Sequence, residues 1–412
     1  MDGLLTVAMI VKNEERFLPE CLASVKDVAD EIIVVDTGST DRTVAIAKSF
    51  GAKVVEIEWP DDFSKARNVG LDLVRTPWVL VMDADEELIK DDIPTLTQAI
   101  KTPIADAYNI RIVSVMDKAE HISESYVLRL FRGHPKVRFV GKVHEQVFPS
   151  LVREQMGIAS LDARLLHKGY LNAVMAERDK TNRNRTLLEK HLKENPHDGY
   201  MLWQLAQTLM MAGDFPAALS VARRSLRNLE VANALWVLAQ VTLARLLELN
   251  GEPKRALKAL EEGQATYPGY TDFFYLEGII RMNLGQWDQA EIAFKKCLEL
   301  GEAKGFLMTD TGVGGFKSLL RLADTLVKKD RPKEALAYLL IALKNYPSFR
   351  EAWDRLFTLL TGSTIEAVLD AVILAMPLST IVSTLQSWGN LSENERNLLS
   401  AALARQPANP QS

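Results

Sequence analysis

The stretch Trp78-Val79-Leu80-Val81-Met82-Asp83-Ala84-Asp85-Glu86-Glu87 restricts the fold of this chain more than any other. A short run of Val, Leu and Met that breaks into acids has the pattern of a strand buried on both faces, with its carboxylates at the C-terminal edge of a parallel sheet. In open α/β sheets, ligands bind outside that edge. Two carboxylates one residue apart make a hard oxygen site for Mg²⁺ or Mn²⁺, ions that share their coordination with substrate phosphates. The same acids also suit the first turn of a helix. Asp-x-Asp on its own decides little, and the neighbouring segments must choose.

Three further apolar runs supply neighbours for such a strand. Residues 4–11 read as strand one, residues 31–35 as strand two and residues 52–57 as strand three. A helical pattern through Phe17, Leu18, Leu22 and Val25 and a helix over residues 63–74 lie between them. This alternation predicts a parallel sheet with right-handed crossovers. Polar residues follow the strands: Lys12-Asn13-Glu14-Glu15 after the first, and Asp36-Thr37-Gly38-Ser39-Thr40-Asp41-Arg42-Thr43 after the second. Ser39, Thr40 or Asp41 suits the N-cap of the next helix. No G-x-G-x-x-G follows strand one and no G-x-x-x-x-G-K-[ST] occurs, which argues against a Rossmann dinucleotide site and a P-loop. What remains is a doubly wound sheet whose strand-end carboxylates suit a nucleoside and a metal-bound diphosphate.

Four motifs now stand in order: Val7-Ala8-Met9-Ile10-Val11-Lys12-Asn13-Glu14-Glu15, Ile33-Val34-Val35-Asp36-Thr37-Gly38-Ser39-Thr40-Asp41-Arg42-Thr43, Phe63-Ser64-Lys65-Ala66-Arg67-Asn68-Val69-Gly70 and Met82-Asp83-Ala84-Asp85-Glu86. Together they resemble a family-2 glycosyltransferase with the A-type nucleotide-sugar fold, over about residues 4–190. The resemblance implies inverting transfer of a sugar from a nucleotide-sugar donor, expected to be a UDP-sugar. It places Asn13 and Glu14 at the nucleoside, Asp36 on the base, Asp83 at the ribose and metal, Asp85 on the metal, and Arg67 on the nucleotide side. Read from their residue types alone, Asn13 and Glu14 would equally cap a helix, and Ser39 to Thr43 would form a turn. Arg67 would equally pair with a surface acid. Glu86 and Glu87 read as first-turn helix acids rather than ligands.

Past Pro103 the pattern alternates apolar and polar through residues 106–112, 126–132 and 137–147, which predicts strands with one wet face carrying Arg111, Arg129 and Lys142. His144-Glu145 ends this region. Inverting transfer needs a base for the acceptor proton, and a carboxylate is the usual choice. Glu145 is assigned that role, with an ion pair to Arg129 or Arg138 as the alternative. The chain lacks the Glu-Asp pair that many family-2 members carry here. Related A-type enzymes use a late His on the metal or diphosphate, and the resemblance implies this for His167; a His at a strand end is otherwise a hydrogen-bonded structural residue. Residues 172–190 are polar and basic and suit either a lid over the donor or a solvated helix.

From Pro196 onward the turn signals become periodic. Gly213-Asp214-Phe215, Gly251-Glu252-Pro253, Gly285-Gln286-Trp287 and Lys329-Asp330-Arg331-Pro332 precede Ala218, Ala256, Ala290 and Ala335, which are spaced by 38, 34 and 45 residues. A period near 34 with a small residue after each turn resembles tetratricopeptide repeats, whose concave face suits peptides or a partner protein. The 45-residue step contains an insertion at residues 301–315, read as a long interhelical loop.

Partner classes follow from charge and cysteine use. A net charge of −5 argues against nucleic acid or an anionic membrane as the main partner. Cys21 and Cys297 are far apart, in helical patterns, and suggest neither a disulfide framework nor a zinc site. The N-terminal apolar run carries Asp2 where a signal peptide would carry Lys or Arg, and Ala371 to Met376 is too short to span a bilayer. A soluble, cytoplasmic protein without a transmembrane segment is expected.

The expectation is therefore an α/β doubly wound, mostly parallel sheet over residues 1–190, all-α helical repeats over 191–362, and C-terminal helices over 363–412 that cap the repeats and end in a frayed tail. Its function is metal-dependent inverting glycosyl transfer, with Mg²⁺ or Mn²⁺ held by Asp85, Asp83 and His167. The acceptor is a peptide, a protein or a cell-envelope glycan. A non-catalytic repeat scaffold with a degenerate nucleotide-sugar domain, or a nucleotidyltransferase, is the alternative.

Overall fold

The apolar runs at residues 4–11, 31–35 and 78–82 become strands buried on both faces, whereas the run at 52–57 becomes a short, part-exposed edge strand. The computed structural model describes residues 3–116, 122–143, 145–170, 173–231, 234–302 and 312–406. The chain divides into two compact units, Met1–Asn228 and Leu229–Ser412. The first begins β1 (Leu5–Val11), α1 (Leu18–Val25), β2 (Glu31–Asp36), α2 (Thr43–Ser49), β3 (Lys53–Glu56), α3 (Phe63–Leu73) and β4 (Trp78–Val81). It continues β5 (Glu86–Leu88), α4 (Ile93–Lys101), β6 (Ala107–Met116), β7 (Ile122–Arg132), α5 (Phe148–Arg153), β8 (Ile158–Tyr170), α6 (Ala173–Glu194), α7 (Gly199–Met211) and α8 (Phe215–Arg227).

One eight-stranded sheet runs in the order β3-β2-β1-β4-β7-β6-β8-β5. Its first four strands are parallel, as the βα alternation predicts, and the register sets Val11 beside Asp36. β7 joins β4 antiparallel with Leu80 opposite Leu130, and the remaining strands complete a mixed sheet. Side chains of β4 alternate between two cores. Trp78 and Leu80 pack with Leu18 and Leu22 of α1, whereas Val79 and Val81 pack with Leu71 of α3 and Phe131 of β7. Asp62 caps α3 by accepting from the Lys65 N–H at 3.1 Å.

Two local expectations give way. The described residues of 137–147 do not form a strand: a lone bridge joins Val140 to Gln146, and Gly141 turns the chain at φ 109°. The Asn68 side chain accepts the Phe139 N–H at 2.9 Å and donates to its carbonyl at 3.0 Å, occupying groups a ladder would use. The alternation instead reflects Val137, Phe139, Val143 and Val147 packing inward from an irregular segment. Glu86 and Glu87 begin β5 rather than a helix, because β8 offers an unpaired edge to Glu86–Leu88.

Among the described residues the second unit is all helical: α9 (Ala234–Leu249), α10 (Pro253–Thr266), α11 (Thr271–Asn283), α12 (Trp287–Leu300), α13 (Phe316–Lys328), α14 (Pro332–Asn345), α15 (Arg350–Leu359), α16 (Ile365–Ile373), α17 (Leu378–Ser387) and α18 (Glu393–Ala404). Gly251, Gly285 and Asp330 take φ of 75°, 70° and 58°, the left-handed turn that ends a helix. Ala256, Ala290 and Ala335 are fully buried just beyond those turns, and the small side chain lets paired helices approach. Helices α16 to α18 share one apolar core with α13 to α15, and Arg350 forks onto the buried Glu395 at 2.8 Å through two bonds. Residues 303–311 of the insertion and the tail 407–412 lie outside the described residues. Among the described residues no single helix is long and apolar enough to cross a membrane; the bent pair α16 and α17 passes on length and composition together, but Val368, Leu369, Val372 and Ile381 are buried in the core.

A cationic cluster holds Glu291 in this unit. Lys295, Lys329 and Arg331 donate to its carboxylate at 2.7, 2.6 and 2.8 Å. Burial would raise this carboxyl, but the three cations outweigh it and lower it from 4.5 to about 2. A depressed native pKa adds stability that is complete above the unfolded value and disappears as the pH falls through the native one. Glu291→Gln is therefore expected to lower the unfolding free energy by about 1–2 kcal/mol at pH 7, less than the full linkage because the cations keep part of their hydration. In urea titrations the deficit should shrink from pH 4.5 toward pH 2; equal stability at pH 7 would contradict the reading.

Candidate active site

The site is assembled from strand ends on the parallel side of the sheet. At the end of β2, Asp36 is 2% exposed. Its Oδ2 accepts from the N–H groups of Gly38 and Ser39 at 3.0 and 2.9 Å, while Oδ1 is buried with no hydrogen-bond partner among the described residues. A buried acceptor left unsatisfied is a place for a ligand's N–H or O–H. Gly38 makes this turn possible at φ 99°. Asn13, after β1, also sits in the left-handed region at φ 57°. Its Oδ1 accepts from Thr40 N–H at 2.8 Å, and its own N–H donates to Ser39 Oγ at 2.9 Å. The Glu14 N–H donates to Thr43 Oγ1 at 2.7 Å. Asn13 and Glu14 thus tie the end of β1 to the turn after β2 and shape the rim beside Asp36.

Past the end of β4, Asp83 lies between two arginines. Arg67 of α3 donates through Nη2 to its Oδ1 at 2.7 Å, and Arg129 of β7 donates through Nη2 to its Oδ2 at 2.8 Å. Arg67 also donates through Nε to Glu145 Oε1 at 2.5 Å. Arg129 makes a further bond, at 2.6 Å, to Oε1 of Glu86, which is 2% exposed. The two arginine side chains are 8% and 13% exposed, whereas the Asp83 carboxylate between them is 38% exposed, so the cations are withdrawn from water while Asp83 keeps an open face. Burial acts to raise the Asp83 carboxyl, but Arg129 and Arg67 overcome it and hold it well below the usual carboxylate range. Burial also pushes Glu86 up, to about 7, against the pull of Arg129. Arg67 Nη1 and Arg129 Nε remain buried without a hydrogen-bond partner among the described residues, donors that suit an oxygen-rich ligand.

One turn further, Asp85 Oδ2 lies 3.2 Å from His167 Nε2 on β8. The other ring nitrogen is 3.3 Å from Ser114 Oγ, which orients the imidazole. The bond to Asp85 raises the pKa of His167, partly opposed by burial. A divalent ion fits this pair, since two adjacent ligands each about 2.1 Å from such an ion lie about 3 Å apart. No group of three or more His, Cys, Asp or Glu able to hold a metal occurs among the described residues. An ion held here by two side chains would need further oxygen ligands to complete its shell. Asp83, expected at both ribose and metal, directs both oxygens to arginines.

The structure therefore brings Arg67, Asp83 and Glu145 into one network and sets Asp85 against His167, whereas Arg111, Lys142 and Arg138 pair elsewhere, with Asp162, Glu194 and Asp72. Glu145 pairs with Arg67 rather than directly with Arg129 or Arg138. His144 lies outside the described residues. Sequence reasoning left Arg129 on a wet face without a site role and set Glu86 aside. Both act through strand pairing between distant segments, which no local pattern reports.

Comparison with known proteins gives these residues a family. Residues 6–152 match the model of glycosyl transferase family 2, and residues 317–348 match a tetratricopeptide repeat. A TPR repeat-containing protein of Synechococcus elongatus is 38% identical over 230 residues, covering 54% of this chain and 57% of that one. The SPbeta prophage-derived glycosyltransferase SunS of Bacillus subtilis is 29% identical over 283 residues, covering 67% of this chain and 66% of that one. Thus the match spans less than two thirds of the length of either relative. Among solved structures, S. aureus TarS 1-349 superposes with a TM-score of 0.38 at 15% identity, covering 65% of this chain and 92% of that one. The matched segment contains every site residue described above except His167, and the N-terminal part of this chain is accordingly a glycosyl transferase family 2 domain, carried with a tetratricopeptide repeat toward its C-terminus.

Proposed function

We propose that this protein is a metal-dependent, inverting glycosyltransferase that moves a sugar from a nucleotide-sugar donor, UDP-linked by family resemblance, to a hydroxyl of a peptide, protein or glycan acceptor. The observation that carries the reading is the shared guanidinium of Arg67, which bonds Asp83 at 2.7 Å and Glu145 at 2.5 Å. A donor-side carboxylate and a candidate base thereby meet at one point, as a transfer between two substrates requires.

The residues divide the task by position. Asp36 offers its unsatisfied Oδ1 to the nucleoside, and Asp83, past β4 and two strands along the same sheet edge, faces the ribose. Asp85 and His167 would hold Mg²⁺ or Mn²⁺, which would supply positive charge against the charge building on the leaving diphosphate. Glu145 Oε1 is taken by Arg67, leaving Oε2 for the acceptor. That oxygen accepts the proton of the acceptor hydroxyl as the hydroxyl oxygen bonds to the anomeric carbon. Attack comes from the face opposite the diphosphate. The anomeric C–O bond breaks with its electron pair retained by the nucleoside diphosphate, and the configuration inverts. The helical repeats serve the acceptor or a protein partner, a use that stacked helix pairs commonly support.

Nucleotide release from a panel of nucleotide sugars with Mn²⁺, with and without a chelator, tests the enzyme reading; no metal-dependent turnover of any donor would sink it. Asp85→Ala is expected to cut metal-dependent release by about 100-fold or more. Glu145→Gln should keep donor affinity within a few-fold and lose transfer by about 100- to 10,000-fold. Normal transfer by that variant would place the base elsewhere.

A further inference from the structure

A carboxylate on a short edge strand ordinarily faces water, because burying it is costly unless its oxygens are matched by donors. Glu86, at the start of the three-residue β5, is 2% exposed and uses both oxygens. Oε2 accepts the backbone N–H of Asp83 at 2.8 Å, and Oε1 accepts Arg129 Nη2 at 2.6 Å. The backbone answers in the other direction, the Glu86 N–H donating to the Asp83 carbonyl at 3.0 Å. The same carbonyl lies 3.6 Å from the buried Cys21 Sγ.

This reciprocal pair closes the Asp83–Ala84–Asp85 turn. Its far end is fixed by β8, where Glu86 stands opposite His167 and the Lys168 N–H donates to the Asp85 carbonyl at 2.9 Å. Arg129 then delivers a single Nη2 to Glu86 and Asp83 together. An apolar residue at position 86 would pack the turn but leave the Asp83 N–H unpaired and Arg129 held by Asp83 alone. Glu87, one residue on, pairs with Lys168 instead, so the arrangement belongs to position 86 and not to the acidic run as a whole.

We infer that Glu86 is a positioning residue of the donor site, fixing the backbone of Asp83 and the guanidinium of Arg129 so that Asp83 and Asp85 meet the nucleotide sugar already in place. This inference rests on the proposed donor chemistry. Glu86 does not touch the donor; it acts through Asp83, Arg129 and the turn. Part of the donor affinity therefore comes from preorganisation, which is lost when the turn is free to move.

The test is calorimetric titration of the full chain with UDP, GDP, ADP and dTDP in the presence of Mn²⁺, followed by the tightest diphosphate on the variants. Glu86→Gln, close in shape, is expected to weaken the diphosphate about tenfold in the folded protein, with Glu87→Gln within twofold of wild type. Arg129→Lys, which keeps the charge but cannot bridge both acids in the same geometry, should weaken it similarly. A purely structural role would lower the melting temperature and leave the affinity of the folded fraction unchanged. Unchanged affinity in folded Glu86→Gln overturns the inference, as does failure of both variants to fold, which would make the pair a fold determinant. No diphosphate binding by the wild-type chain overturns the donor chemistry, and the inference falls with it.

Discussion

Arg67 joins two carboxylates that reach it from separate segments of this protein. One guanidinium, withdrawn from water on α3, bonds a carboxylate just past β4 and another from the loop before α5. A buried arginine is tolerated only when matched by acids, and each acid here is in turn held by the arginine. The placement of α3 therefore governs the site. Asp62 starts the helix, Gly70 brings it close to Val35 of β2, and Asn68 grips the backbone of Phe139. The helix thus lies between the sheet, which it meets at Gly70, and the segment leading to Glu145, which it grips through Asn68 on another face.

A second constraint is the antiparallel return of β7 onto β4. That pairing brings Arg129 to Asp83 from the side opposite Arg67, so the carboxylate is held by a cation on each oxygen. Asp83 consequently stays charged, while Asp85, one residue beyond Ala84, turns toward His167. Two acids separated by a single residue acquire different tasks because one lies among arginines and the other faces an imidazole. Their spacing alone does not distinguish them.

Legibility in the sequence followed the range of the interactions. The parallel half could be read because a strand covered on both faces must be apolar throughout, and because polar residues gather where it ends. The helical turns could be read because a left-handed residue is a local requirement, met by Gly251 and Gly285 and, less obviously, by Asp330. Residues 137–147 misled because burial of alternate side chains also occurs in an irregular segment whose backbone is bonded by a side chain, here Asn68. Glu86 misled because its acid suits a helix start, and only the pairing of β5 with β8 reveals otherwise. The partners of Arg67 and Arg129 depend on contacts between residues 16 to 78 positions apart, beyond any local pattern.

By the proposed function, the strand ends holding Asp36, Asp83 and Asp85 take a nucleotide sugar, with a divalent ion at Asp85 and His167. Crystals grown with Mn²⁺ and a nucleoside diphosphate test it directly through the anomalous scattering of manganese. A single strong peak within coordination distance of Asp85 and His167, bridged to the diphosphate, is the predicted result. A diphosphate bound elsewhere, or manganese bound away from this pair, would contradict it.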